Sequence, residues 1–393
     1  MDLMKIFKTR SESIQSEASV ISAAAATVAN ATDANPPFNL DSLNLVEGEG
    51  PSLSLEYQSE QIDLMTFLSK WKDHYSLDEE PLESVVGKIS ELKEHIWNMP
   101  MYDESSKDKS YNRKWYKLWD VSPVKDIMIS EIYWCTDIVL FRYLRSYKYD
   151  VKTSFNMLKK TLAWRRFRNI DGISPDVVGP CNVAGMLYRK GYDNSGRPVV
   201  YFRPHNEVNV DRETQVLLLY FTLERATQTV LLEHGNDKVM VILDLKNWSL
   251  SKLPSMETVI DTVRALSEHF TDVLHDVVLV DPPMLIDPLL QMIKAVLDSS
   301  TSKKIVIKRR GNLLENFLKN RIDAMYVEES MGGENTTQYD HSVYWEKETA
   351  ESRRYQKRMR KWIEAHEEEW KGRHACEDEA SSGRSATSLS GRE

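Results

Sequence analysis

Apolar residues recur every three or four positions through the first part of the chain, which is the spacing of one helix face. Such stripes predict helices over 59–75 and 82–96. Thr136 or Asp137 is placed to cap a helix that reaches Lys148, and Asp150 to cap another. The stripes consist of Ile62, Met65, Leu68, Trp71 and Tyr75, then Leu82, Val85, Ile89, Leu92 and Ile96, and finally Val151, Phe155, Leu158 and Leu162.

Beyond residue 190, short apolar runs alternate with helical stripes. The runs VVYF (199–202), VMVIL (239–243), VVLV (277–280) and IVI (305–307) are typical of buried strands, and NSGRP (194–198) is typical of a turn. The intervening stripes predict helices over 213–233, 255–270, 284–297 and 312–320. Strands that alternate with helices in this way favour an α/β fold with a largely parallel sheet.

The two ends of the chain depart from this pattern. Residues 1–50 are rich in Ser, Ala, Asn and Asp, and we expect a disordered arm there. The tail at 373–393 is of low complexity and is also expected to be disordered. Before it, a helix is predicted over 343–371, with Tyr355, Met359, Trp362, His366 and Trp370 on one face.

Charge and cysteine content narrow the function classes. The 393 residues include 51 Lys and Arg against 60 Asp and Glu, a formal net charge of −9. Because general nucleic-acid-binding proteins are usually basic, no nucleic-acid partner is expected. Cys135, Cys181 and Cys376 are widely spaced, which argues against a disulfide framework and fits a reducing compartment. The sequence has no apolar stretch of ~18 residues and no secretory signal, so we expect a cytoplasmic protein.

The sequence has no recognisable catalytic motif, since it lacks GxSxG, a P-loop and GxGxxG. Its nine histidines show no metal-ligand spacing. His275 lies between Asp272 and Asp276, so an acid–base hydrolase stays open as an alternative, although no nucleophile stands at motif spacing. We therefore expect a protein that is not an enzyme, with no catalytic residue, cofactor or metal.

Four segments in a fixed order carry a family pattern: residues 140–166, 192–202, 239–249 and 269–307, the last followed by GGEN (332–335). Together they resemble the CRAL-TRIO lipid-binding family, which includes the fungal-type phosphatidylinositol transfer proteins. The resemblance implies an α/β CRAL-TRIO fold. A helical N-terminal lobe (136–180) is joined to a lipid-binding lobe (181–335), whose mixed, largely parallel sheet is flanked by helices around an apolar pocket. Residues 51–135 and 336–372 are then helical extensions.

The resemblance also implies a headgroup site. The family's phosphatidylinositol ligands fall on Arg165, Asp272, Thr301 and Lys304, with Asp272 standing where the family has Glu. Cations and hydroxyls suit a phosphate diester because charge-assisted hydrogen bonds to phosphate are strong. On composition alone, Lys304 and the basic residues around it are also compatible with a solvated edge.

The implied apolar pocket falls on strand residues that are equally suited to a filled core: Val239, Val241, Leu243, Val278 and Val280. Residues 284–297 are apolar nearly all round, as in a buried helix. In the family this helix is the gate over the pocket, here with Met284, Leu285, Leu289, Ile293 and Leu297. Val239 and Val241 replace the family's phosphatidylcholine-binding hydroxyl pair, which implies weak binding of that lipid and a less polar second ligand.

The resemblance thus implies a protein that carries phosphatidylinositol and exchanges it for a second hydrophobic lipid without covalent chemistry. It would be cytoplasmic, with transient peripheral contact to endomembranes. One alternative is a dedicated carrier of a sterol, isoprenoid, other apolar ligand or haem, without phosphoinositide exchange. Another is a membrane-recruited adaptor that binds a protein partner through its helical extensions. The basic stretch 353–361 suits either an anionic membrane surface or a helix packed on the domain.

Overall fold

The computed structural model describes residues 64–75, 80–102, 121–208, 211–249, 253–284 and 286–386. The predicted arm at 1–50, the start of the predicted first helix and the gate residue Leu285 lie outside these residues. Residues 387–393, at the end of the predicted tail, also lie outside the described residues.

Among the residues described up to Arg168, the chain forms five helices: α1 (Leu64–Tyr75), α2 (Leu82–Trp97), α3 (Ile129–Trp134), α4 (Asp137–Ser146) and α5 (Val151–Arg168). Both predicted caps are confirmed. The Thr136 side chain accepts from the Val139 amide at 3.4 Å, and Asp150 accepts from the Thr153 amide at 2.7 Å. The apolar faces of these helices meet in one cluster that includes the fully buried Leu68, Leu92, Phe141 and Leu158.

A five-stranded sheet follows, made of β1 (Leu187–Tyr192), β2 (Pro198–Phe202), β3 (Val239–Asp244), β4 (Leu274–Val280) and β5 (Ile305–Lys308). The spatial order is β1-β2-β3-β4-β5, with β1 and β2 antiparallel and the remaining pairs parallel. This confirms the mixed, largely parallel sheet. Strand β1 has no counterpart among the predicted strands, because the polar residues in LYRKGY interrupt its apolar pattern.

Short helix α6 (Pro175–Val178) precedes the sheet, and six helices connect or follow its strands: α7 (Arg212–Gln228), α8 (Met256–His269), α9 (Asp287–Val296), α10 (Ser299–Lys303), α11 (Asn312–Lys319) and α12 (His341–Ala386). Helix α7 ends before the predicted residue 233, and a short 3₁₀ turn covers Leu232–His234. Helix α12 continues beyond the predicted residue 371 and covers part of the expected disordered tail. No proline interrupts that stretch.

The strand register divides the sheet into two faces. One, called the α9 face, contains Val200, Phe202, Val241, Leu243, Val277 and Leu279. The opposite, reverse face contains Val199, Tyr201, Met240, Ile242, Val278 and Val280. Leu289 and Leu290 of α9 cluster with Leu279, Leu243 and Val277, which places α9 over the first face.

Helix α12 links the two parts of the molecule. Tyr344 and Trp345 near its start belong to the core around the sheet. Trp370, further along, belongs to the core of the N-terminal helices. A helix of this length, at 1.5 Å per residue, reaches across both.

Candidate lipid and headgroup site

Three charged residues meet at the amino edge of the parallel strands. Lys238 directly precedes β3, Asp272 lies two residues before β4, and Lys304 directly precedes β5. Nζ of Lys238 and of Lys304 lie 2.8 and 3.2 Å from Oδ1 of Asp272. Asp272 has a left-handed backbone (φ 51°), a conformation that aspartate tolerates better than most residues. Parallel strands bring these residues together because their amino ends share one edge.

Helix α4 adds two arginines to this cluster. Arg145 donates from Nε to Oδ2 of Asp272 and from Nη2 to the carboxylate of Asp237, 3.0 Å away. Arg142 donates from Nε to the same Asp237 carboxylate at 3.0 Å. Four cations, Arg142, Arg145, Lys238 and Lys304, therefore face two carboxylates, which leaves a surplus of two positive charges. We call these six residues the cationic cluster.

The pKa values of the groups around Asp272 reflect this surplus. Burial and the neighbouring Arg145 lower the pKa of Lys238 to about 8. Burial opposes ionisation of Asp272, but Arg145, Lys238 and Lys304 outweigh it and hold its pKa below the ordinary value. Burial and nearby cations lower the pKa of His275 to about 2, so this histidine is neutral at physiological pH. The site thus has a positive field that favours an anionic ligand.

Thr301 lies one helical turn before Lys304, on α10. The N-cap of this short helix is Asp298, whose Oδ1 accepts from the amides of Ser300 and Thr301 at 2.8 and 2.9 Å. The amide of Lys304 in turn donates to the carbonyl oxygen of Thr301 at 3.1 Å. The sequence-predicted residues Asp272, Thr301 and Lys304 are therefore neighbours in the fold.

Arg165 occupies a different place. Its guanidinium donates to Glu224 at 2.6 Å and to Asp171 at 2.6 Å, and lies 4.1 Å from the centre of the Trp134 ring. Among the described residues, neither a hydrogen bond nor an ion pair joins it to Asp272 or Lys304. The expectation that all four residues form one site is corrected for Arg165, because two acidic partners hold its side chain between α5 and α7.

Sequence reasoning missed Arg145, Lys238 and the Asp237 carboxylate that supports them. A signal for the first was present, since Arg142 and Arg145 stand three residues apart on an otherwise apolar helix. A signal for the other two was the charged pair Asp237–Lys238 directly before a buried strand. Charged residues in such apolar surroundings are usually paired, and so indicate an ionic cluster.

The five predicted pocket-lining residues do not share one wall. Val241 and Leu243 lie on the α9 face and are partly exposed. Val239 alternates onto the same face but is fully buried. Val278 and Val280 lie on the reverse face and are fully buried in the cluster that also contains Leu314 of α11. We therefore correct the predicted wall: strand alternation turns Val278 and Val280 away from α9.

The α9 face is less completely covered than the reverse face. Four of its six apolar residues, Phe202, Val241, Leu243 and Val277, keep some solvent exposure, whereas Val200 and Leu279 are buried. On the reverse face, Met240, Ile242, Val278 and Val280 are each 0% exposed. Helix α8 shows the same incomplete burial, because its apolar stripe of Met256, Val259, Ile260, Val263 and Leu266 is partly exposed throughout. An apolar surface therefore remains accessible between the sheet, α8 and α9.

The predicted gate helix is shorter than 284–297. It begins at Asp287 and ends at Val296, and Leu297 is already extended. Leu289 and Ile293 pack toward the sheet, as does Leu290, whereas Met292 is 43% exposed. Met284 lies before the helix and is 90% exposed. The helix is amphipathic rather than apolar all round, because Gln291 and Lys294 face solvent.

A separate cleft of about 540 Å³ lies among the N-terminal helices. Trp97, Trp362 and His366 line it together with Lys93 and Asp137. It shares no lining residue with the cationic cluster or the α9 face, so it belongs to the packing of α12 on the helical lobe.

Within the described ranges, no group of three or more His, Cys, Asp or Glu side chains is arranged to hold a metal ion. No described helix is both long enough and apolar enough to cross a bilayer.

Comparison with known proteins identifies two domains and several relatives. Residues 182–333 match the CRAL/TRIO domain and residues 88–160 match the CRAL/TRIO N-terminal domain. A CRAL-TRIO domain-containing protein of Schizosaccharomyces pombe is 26% identical over 271 residues, which are 69% of this chain and 24% of that protein. The phosphatidylinositol transfer protein PDR17 of Saccharomyces cerevisiae is 26% identical over 228 residues, 55% of this chain and 62% of that protein.

The chain thus spans less than two thirds of the length of these curated relatives. The crystal structure of Sfh5 aligns with a TM-score of 0.47 at 16% identity, covering 68% of this chain and 92% of that one. The N-terminal match runs from within α2 to within α5, the second match contains all five strands, and the chain belongs to the CRAL-TRIO family.

Proposed function

We propose that this protein is a lipid carrier that takes up phosphatidylinositol and exchanges it for a second, less polar lipid at membrane surfaces. The observation that carries the proposal is the presence of two features on one sheet: a cationic cluster at its amino edge and an accessible apolar face beneath α9. The first suits an acidic headgroup and the second suits acyl chains. Transfer of this kind requires no covalent step.

The dimensions of the α9 face match its proposed cargo. A six-residue strand such as β3 spans roughly 20 Å at about 3.3 Å per residue. One leaflet of a bilayer is roughly 15 Å deep, half of the hydrocarbon core. Because each methylene exposed to water costs about 0.8 kcal/mol, a carrier must cover its acyl chains along their length. A face of this extent, partly exposed along β3 and β4, is long enough to do so.

Asp272 suits a headgroup that carries hydroxyls. A phosphate that approaches Lys238 and Lys304 also meets the Asp272 carboxylate, which repels it. The ionised Asp272 carboxylate is compatible with a bound phosphate only if the headgroup donates hydrogen bonds to it, as the hydroxyls of inositol do. A choline headgroup has no hydroxyl donor. The cluster therefore favours a polyol phosphate over phosphatidylcholine.

The second ligand in this proposal is a sterol, an isoprenoid or another weakly polar lipid. The partly exposed positions of the α9 face, among them Val241 and Leu243, are apolar. A buried phosphate facing such a wall would lack hydrogen-bond partners, which is costly. Relatives named for phosphatidylinositol transfer support the first ligand, and this apolar wall supports the second.

Lys304→Gln tests the headgroup site. We expect it to lower phosphatidylinositol transfer between vesicles by about 10- to 100-fold, because one charge-assisted hydrogen bond is lost. The matched control is Lys303→Gln, which removes the same charge from an exposed neighbour. Equal loss in both variants, or wild-type transfer of phosphatidylcholine as efficient as that of phosphatidylinositol, would contradict the proposal.

The pKa of Lys238 predicts a pH dependence. Its ammonium loses its proton above about pH 8, and the phosphodiester stays anionic throughout, so one attractive charge disappears as the pH rises. Phosphatidylinositol affinity is expected to fall by up to about tenfold between pH 7 and pH 9. Lys238→Arg keeps its charge and should flatten the profile. A wild-type affinity that is constant over this range would exclude Lys238 from the site.

A further inference from the structure

The outer face of α12 carries a row of cations. Arg353, Lys357, Arg360 and Lys361 are all exposed, and their spacing of three, four and seven places them on one side of the helix. Among the described residues, none of the four takes part in an ion pair. We call these four residues the α12 stripe. At 1.5 Å per residue it extends about 12 Å along the helix axis.

The stripe lies opposite the packing face of the same helix. Tyr355 is buried, and Trp362 packs against Tyr133 and Trp97, with ring centres 5.5 and 6.2 Å apart. Packing on the domain and binding of an external partner by the cations would therefore involve different sides of this helix. Packing through Tyr355 and Trp362 fixes the helix and keeps the stripe turned outward.

The stripe works against helix stability when it has no partner. Arg353 and Lys357 stand four residues apart, as do Lys357 and Lys361, and like charges at this spacing repel each other. Acidic side chains at these spacings would relieve the repulsion, but the stretch 353–361 contains none, and Glu364 stands at such a spacing only from Arg360 and Lys361 at its end. The cations are moreover concentrated in a chain whose formal net charge is −9. This concentration points to an external anionic partner.

We infer that the α12 stripe binds the anionic surface of a lipid bilayer and holds the carrier there while cargo is exchanged. The inference rests on the proposed function, because a lipid carrier must reach a membrane. A nucleic acid is disfavoured by the acidic balance of the whole chain. Glu346 and Glu364 bound the stripe on the same side of the helix, which limits it to a short patch. A juxtaposed anionic bilayer attracts each cation of such a patch independently.

The test compares two triple variants of the full chain. Arg353→Gln/Lys357→Gln/Lys361→Gln, the stripe variant, removes three of the four stripe cations, and Lys125→Gln/Lys152→Gln/Lys319→Gln removes equal charge from exposed positions elsewhere. Co-sedimentation uses vesicles of phosphatidylcholine with about one third phosphatidylserine, which contain no phosphatidylinositol. The stripe variant should bind about fivefold more weakly per lost cation, or about a hundredfold in total. The control variant should bind as the wild type does.

Three outcomes overturn the inference: equal losses in both variants, wild-type binding that does not weaken as salt is raised, or stripe-dependent binding to duplex DNA without binding to the vesicles.

Thermal unfolding provides an independent test of the stripe variant, because loss of like-charge repulsion should leave its stability unchanged or slightly higher. A stripe variant that unfolds earlier would assign the cations a structural role. Native mass spectrometry separates this inference from the proposed function: if the stripe variant binds vesicles far more weakly than the control variant, yet the wild type retains no phospholipid, the carrier proposal fails and the stripe stands.

Discussion

Replacing Glu348 with glutamine is expected to lower the free energy of unfolding by about 3–5 kcal/mol, as when a buried ion pair loses one partner. The Glu348 side chain is 0% exposed and pairs with Arg189 of β1 and with Arg225 of α7, whose Nε lies 3.4 Å away. The amide of glutamine cannot compensate two buried guanidinium groups. Urea or thermal unfolding of the full chain measures the loss.

The control for this prediction is Glu346→Gln, two residues earlier on the same helix, where the side chain is exposed. It should change stability by less than about 0.5 kcal/mol.

The buried ion pairs of Glu348 also predict that the protein loses stability in acid. Arg189 and Arg225 outweigh burial and hold the pKa of Glu348 below its ordinary value, so its stabilisation is present at neutral pH and is lost as the pH falls below about 4.5. Equal stability of the two variants would mean that α12 is not anchored through this carboxylate.

Much of the fold follows from local patterns. Four of the five strands and the helices α2, α8 and α11 agree with apolar runs and stripes in the sequence to within a few residues. The caps at Thr136 and Asp150 are local hydrogen bonds, so they too can be predicted from sequence. Strand β1 escapes prediction because Arg189 and Lys190 break its pattern. Arg189 is tolerated inside because Glu348, distant in sequence, neutralises it.

The site is harder to predict, because it depends on how separate elements meet. Arg145 and Arg165 both lie on N-terminal helices, and nothing local tells which one reaches Asp272. Arg165 does not reach Asp272 because it forms an ion pair with Glu224 of α7, a residue of the other lobe. Alternation alone shows that Val241 and Val278 lie in strands, but only the register with the neighbouring strand and the position of α9 tells which face each side chain joins.

Tryptophan at position 241 is expected to exclude cargo while leaving the protein folded. Val241 lies on the partly exposed α9 face, where an indole would fill space that an acyl chain otherwise takes. Displacing about four methylenes costs roughly 3 kcal/mol, which corresponds to about a hundredfold weaker lipid binding. Uptake of a fluorescent phosphatidylinositol analogue measures the change, and Val241→Ala should bind at least as well as the wild type.

Val278→Trp, the same substitution on the reverse face, is the comparison that tests whether the α9 face is open. Val278 is 0% exposed within the core cluster on the reverse face, so tryptophan there overpacks a filled core, which typically costs 1–3 kcal/mol or more. Val278→Trp should therefore unfold at a clearly lower temperature, whereas Val241→Trp should unfold near the wild type. If both variants lose stability to the same degree, the α9 face is a filled core like the reverse face. The sheet would then have no room for acyl chains, and the carrier proposal would lose its physical basis.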